Sequence, residues 1–182
     1  MCSSDLLRLI ECDASARNFG AIATARIGFV TGANNHFIRN QRDLAKLNIP
    51  SEFRVPVVSR TTWLSGLEFT LDDHRAIVDA NRRALLVRPS AALVDHERAR
   101  GWIEEGEAQG VHERFKCTQR SPWFRVDLPP APDAFASCTR LGSPLLVLNR
   151  GGYRCTNALY SVTWKTDLDI APEIVEIGRA HV

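Results

Sequence analysis

The 182-residue chain lacks any apolar run approaching the roughly 18 residues that a membrane-crossing helix needs, so no membrane association is expected. It opens without a charged-then-apolar leader, and the expected compartment is the cytoplasm. Its five cysteines (Cys2, Cys12, Cys117, Cys138, Cys155) are odd in number, scattered, and form no CxxC pair. That argues against a zinc knuckle or a disulfide framework and leaves reduced thiols as the expectation. His36, His74, His96 and His112 show neither HxxxH nor HExxH spacing, which argues against a metal site. Internal repeats and low-complexity tracts are missing too. So is a global basic field, since the net charge is only +2.

Lysine is scarce, at 3 residues against 20 arginines. The planar guanidinium fork suits phosphates and guanine edges. A GC-rich genome that replaces Lys by Arg throughout accounts for the ratio equally well, so the excess permits nucleic-acid binding without showing it. Apolar content of 45% and charge of 24% are ordinary for one globular domain. Residues 1–6 and 176–182 read as translated sequencing adapters, so 7–175 is the expected domain, cut from a chain that continues in both directions.

The pattern is one of short strands that outnumber helices and do not alternate with them. It predicts an α+β fold of small mixed or antiparallel sheets with a few short helices. Strands are expected near 19–30, at 55–59 with Pro56 on an edge, and at 84–87, 123–126, 134–136, 145–148 and 158–164. Helical turns are expected at 41–47, stopped by Asn48-Ile49-Pro50, and at 75–82, capped by Asp72-Asp73-His74. A polar helix is expected at 95–109, with Trp102 and Ile103 inward and a stop at Gly110.

Three stretches gather chemistry. In the first, residues 27–40 (IGFVTGANNHFIRN), a short apolar run breaks at Thr31-Gly32-Ala33-Asn34-Asn35 and resumes as His36-Phe37-Ile38. This reads as a strand–turn–strand corner, either an ordinary hairpin turn or one that touches a phosphate or base edge. In the second, residues 113–125, Arg114, Lys116, Arg120 and Arg125 interleave with Phe115, Trp123 and Phe124. On a strand, Arg114, Lys116 and Arg120 would share one face. The pattern suits a sugar–phosphate backbone or, equally, a solvated face over an aromatic anchor. In the third, residues 148–157, a buried strand empties into a glycine-marked loop with Asn149, Arg150, Arg154 and Asn157. It is either a base-reading loop or a polar turn. Asp72-Asp73 is better explained as a cap than as a catalytic pair. Cys117 lies among cations but has no identifiable partner base.

In this order and spacing the three stretches resemble the C-terminal target-recognition region of adenine-specific DNA methyltransferases from restriction–modification systems (TaqI-like and related type II enzymes). The family pattern runs from Gly through Thr-Gly-Ala-Asn to Phe, here Gly28 to Phe37. It continues with Arg-x-Pro-Trp-aromatic, here Arg120 to Phe124, and then with a strand ending in Leu-Asn, here Leu148-Asn149. The resemblance implies a two-part enzyme. A Rossmann-like half binds S-adenosylmethionine and holds a flipped adenine with an Asn-Pro-Pro-aromatic motif, while a second half reads double-stranded DNA. Neither that motif nor a glycine-rich cofactor fingerprint occurs here, since Pro129-Pro130 follow Leu128.

The expectation is therefore a target-recognition-domain-like fold that binds DNA, with no catalytic residue, metal or cofactor of its own. It would partner an upstream methyltransferase domain of the same chain, and S-adenosylmethionine would serve the parent enzyme. Thr31, Asn34 and Asn35 would meet backbone or base edges. Arg114, Lys116, Arg120 and Arg125 would neutralise phosphates, Trp123 would anchor their loop, and Asn149, Arg150 and Arg154 would form a second reading loop. All three loops would share one cationic surface. Two alternatives stay open: a stand-alone nucleic-acid-binding module of a phage-defence protein, and a small enzyme using the TGANN corner as an anion nest.

Overall fold

A computed structural model describes residues 19–89, 96–137 and 145–165, with only the backbone of 96–98. The expectations for 1–18, for Asp95 and for 176–182 lie outside the described residues. The helical turn α1 (Phe19–Ile22) leads into β1 (Ala23–Ile27). Then follow α2 (Asn34–Phe37), β2 (Ile38–Arg39), α3 (Gln41–Lys46), β3 (Arg54–Val58), β4 (Glu68–Phe69), α4 (Leu71–Asp79) and β5 (Leu85–Val87). The second half comprises α5 (His96–Ala108), α6 (Phe115–Thr118), β6 (Ala134–Ser137), β7 (Leu145–Asn149), β8 (Arg154–Cys155) and β9 (Tyr160–Trp164).

The strands form two mixed sheets, so the fold is α+β. One is five-stranded, in the order β1-β9-β6-β7-β4, and the other four-stranded, in the order β2-β5-β3-β8. All pairs are antiparallel except β4 with β7 and β3 with β8.

Strand alternation explains how the sheets share the interior. Neighbouring Val57 and Val58 in β3 are both fully buried, yet they belong to different cores. Val57 joins Phe37, Leu44, Leu86 and Trp102, whereas Val58 joins Phe69, Phe135, Val147 and Tyr153. In the larger sheet the same alternation sends Phe135 and Val147 to that second core, and Ala134 and Leu148 to a third with Ala23 and Val162.

The helix caps follow the sequence closely. Asn40 Oδ1 accepts from Asp43 N at 2.8 Å to start α3, and Asn48 closes it at φ 50°. Helix α4 starts earlier than expected. Thr70, rather than the Asp pair, is its N-cap, and Asp73 returns the bond to Thr70 N at 2.7 Å as a capping box. Pro56 lies in an inner strand, not an edge strand. It pairs with Leu85 on one side, and the ladder to β8 begins only at Val57, so its missing N–H interrupts nothing.

Other expectations fail as well, beginning with Phe19–Ile22, expected within the first strand and found as a helical turn. Residues 123–126 form no strand, because successive turn bonds (Cys117 N to Arg114 O, Arg120 N to Cys117 O, Arg125 N to Pro122 O) coil the chain. The parity argument for Arg114, Lys116 and Arg120 fails with it, since 115–118 is helical. The first corner is not a hairpin either: β1 and β2 lie in different sheets, and the alternating His36-Phe37 belongs to α2.

Candidate functional site

The corner is built by close backbone approach. Phe29 bridges in parallel to Thr156, with Phe29 N to Cys155 O at 3.0 Å and Asn157 N to Phe29 O at 3.0 Å. A side chain on Gly28 would strike the Cys155 and Thr156 carbonyls. Gly32 then turns the chain at φ +86°, a conformation costly for any residue with a Cβ. Thr31 is fully buried. Its hydroxyl donates to Asn34 Oδ1 at 2.5 Å and accepts from Ala33 N at 3.1 Å. It shapes the turn and does not face solvent. Asn34 and Asn35 are exposed, and Asn35 Oδ1 accepts from Arg83 Nη1 at 3.0 Å.

The second stretch closes onto this corner. Arg120 donates from Nη1 to Thr31 O at 2.8 Å and from Nη2 to Val30 O at 2.6 Å, gripping two successive peptide carbonyls with one fork. A Cβ on Gly32 would lie 2.8 Å from Lys116 Cβ, which fixes α6 against the turn. Arg114, Phe115 and Lys116 are exposed there. Phe115 is 72% accessible, with Lys116 Nζ 5.6 Å from its ring centre. Trp123 is the anchor the sequence implied, packing against Trp102 at 6.1 Å and His36 at 5.6 Å. Cys117 is buried and its thiol donates to Thr31 O. Burial raises its pKa despite the opposing charges of Arg120 and Arg114, so it stays a thiol.

Beneath the corner, the His36 ring stacks on Trp102 at 4.6 Å, and its Nδ1 faces the Arg39 guanidinium at 3.3 Å. Arginine has only donors, so Nδ1 must be the lone-pair acceptor and Nε2 carries the proton. Among the described residues Nε2 has no partner. Burial first, then the charges of Arg39 and Arg114, hold the His36 pKa down to about 4. Arg39 is itself paired with Glu105 at 2.9 Å.

The third stretch divides, its last residues pairing with Phe29 at the corner and its loop entering from further along the chain. Strand β8 runs parallel to β3 (Val57 with Arg154, Val58 with Cys155) and parallel to the chain at Phe29. The corner therefore continues from one end of β8, and the 149–153 loop enters at the other. Asn149 is fully used: Nδ2 donates to Pro132 O at 2.7 Å and Tyr153 O at 2.8 Å, while Oδ1 accepts from Tyr153 N at 2.9 Å. Arg150 pairs with Glu68 at 2.9 Å, and Arg154 Nε donates to Pro129 O at 2.6 Å. Arg125 pairs with Asp127 at 3.0 Å, beside Val126, whose carbonyl accepts from Arg88 past the far end of β5. The first two stretches thus converge, and the third joins them only through Cys155 to Asn157, while its Asn149, Arg150 and Arg154 side chains are bonded elsewhere in the fold.

A feature the sequence reading missed adjoins the corner. A cleft of about 640 Å³ is lined by Arg60, Arg82, Arg83, Asn40, Asn81 and Trp63, together with small neutral groups. Asn81, at φ 53°, closes α4 and turns the chain so that Arg82 and Arg83 follow. A pair of arginines directly behind a helix-ending Asn is the one local signal that pointed there. Among the described residues, no group of three His, Cys, Asp or Glu side chains gathers as a metal site would require, and no helix is long and apolar enough to cross a membrane.

The family model described as type II methyltransferase M.Eco57I, C-terminal domain, matches residues 3–177. Type II methyltransferase M.AccI of Acinetobacter calcoaceticus is 22% identical over 158 residues, which cover 84% of this chain. The match spans 29% of that relative's length.

Proposed function

The chain belongs to the family of C-terminal domains of type II methyltransferases represented by M.Eco57I, and from that premise we propose that it is the DNA-recognition portion of a site-specific adenine methyltransferase. In the whole enzyme an upstream domain of the same chain would bind S-adenosylmethionine and do the chemistry. Such an enzyme would act on double-stranded DNA in the cytoplasm. The observation that carries the reading is the clamped corner. Arg120 and Gly32 hold Asn34 and Asn35 beside Arg114, Phe115 and Lys116, so two amides, two cations and one bare ring occupy a single preset neighbourhood.

Exposed amides can pair with adenine edges, cations with phosphates, and a bare ring with an unstacked base. Besides its exposed cations, the corner holds two titratable groups, His36 and Cys117, that are buried and kept neutral by that burial. That favours a binding surface over the anion-nest enzyme. Direct contact is assigned to Asn34, Asn35, Arg114 and Lys116. Thr31, Arg120 and Asn149 act as positioning residues, and Arg125, Arg150 and Arg154, each bonded within the fold, are left out of the direct contact.

Selection of random duplexes by the 182-residue chain tests this. A consensus sequence should emerge from the pool, and Asn34→Ala with Asn35→Ala should broaden it. Lys116→Gln should lower the slope of log affinity against log salt by about 0.9. Recovery of an unenriched pool, bound without salt dependence, would sink the reading.

A further inference from the structure

We infer that the arginine-lined cleft beside the corner is a second seat for the same DNA, taking the phosphodiester backbone of the strand that runs on from Asn35. The inference rests on the reading of the corner given above. The cleft lies where three separate segments leave the smaller sheet at one end: Asn40 after β2, Arg60 after β3, and Asn81 to Arg83 ahead of β5. Ser59 Oγ bonds Arg83 O at 3.1 Å, and Arg42 N bonds Asn81 Oδ1 at 3.3 Å, so the walls are tied together by backbone groups.

The cleft shares with the corner cations Arg114 and Lys116 a lack of carboxylate partners among the described residues. Arg39, Arg75, Arg125 and Arg150 are each paired with a carboxylate. Among the described residues no carboxylate lines the cleft. Among the described residues the side chains of Arg60 and Arg82 have no hydrogen-bond or ion-pair partner, and the side-chain bond from Arg83 goes to the neutral amide of Asn35.

Three uncompensated guanidinium groups around one hollow repel one another and add nothing to folding, and an anion is what offsets them. About 640 Å³ is room for a sugar–phosphate unit rather than a lone ion, and half-buried Trp63 offers a ring face on the wall. The Arg83–Asn35 bond makes cleft and corner continuous. A polymer that meets the corner therefore passes the cleft next.

The test measures binding of a duplex of about 20 base pairs, roughly two helical turns, by the chain across a salt series, with the Arg60→Gln/Arg82→Gln double variant beside Lys116→Gln. Both arginines are exposed, so the variant should melt like the parent. Its salt slope should fall by about 1.8, two phosphates' worth, and its affinity about tenfold. A slope equal to wild type, with that of Lys116→Gln reduced, would overturn the cleft while leaving the corner standing. Absence of salt-dependent binding by the wild-type chain would remove both. Competition by pyrophosphate separates the sources of the anion. Displacement of the duplex only at millimolar pyrophosphate supports a strand. Tight pyrophosphate binding that the double variant loses would assign the cleft to a free anion and overturn the proposal.

Discussion

Several residues that look like ligand contacts in the sequence are spent inside the molecule. Arg120 gives both arms of its fork to the Val30 and Thr31 carbonyls. Arg120→Ala should therefore cost about 2–3 kcal/mol of stability in urea titration, because two carbonyls lose a charged donor. The salt slope for DNA should stay unchanged at temperatures where the variant is folded; a slope lower by one phosphate would make Arg120 a contact instead. His36 has a pH consequence. Its pKa of about 4 in the folded chain lies below the ordinary 6.5, so folding favours the neutral ring. Stability from this group is complete above pH 6.5 and is lost as pH falls from 6.5 toward 4, at up to about 1.4 kcal/mol per pH unit. Burial lowers the His74 pKa too, so the check is a difference: urea midpoints of wild type and His36→Gln across that window. A variant curve as steep as wild type would refute the assignment.

Helix α5 holds two interior glycines in opposite surroundings. Among the described residues a Cβ on Gly101 would meet no atom within 4 Å, whereas one on Gly106 would lie 2.5 Å from Trp123 and 2.8 Å from the His36 ring. Ala generally stabilises a helix interior over Gly by about 0.5–1 kcal/mol. Gly101→Ala should show that gain. Gly106→Ala should lose about 1–2 kcal/mol net, since overpacking outweighs propensity. Equal thermal shifts in the two variants would contradict the packing described. Elements with a strong period were legible from sequence: α5 with Trp102 inward, β5, and β7. The corner was not, because two alternating residues before Ile38 look like strand until the Ala33 carbonyl is seen to accept from His36 and Phe37. Nor was 113–125, where a dense row of cations suggested a face that the turns then dispersed.

For the molecule as a whole, the fold class could be read ahead of the structure because it depends on how many short strands there are. The site could be read only in part, because it depends on how segments distant in sequence meet. The cleft joins residues near 40, 60 and 82, of which only the Arg82-Arg83 pair behind Asn81 carries a local signal, and the strand ends of the smaller sheet bring them together. The parallel course of β8 beside Phe29 sets the corner at its later end and the loop from Asn149 to Tyr153 at its earlier end. The guanidinium at Arg120 comes from 89 positions beyond the carbonyl of Thr31 that it grips. The outline a visitor encounters at the corner is thus finished before contact, held from behind by a distant part of the chain. Changes to its outward amides would then alter how long a duplex lingers far more than how quickly it lands.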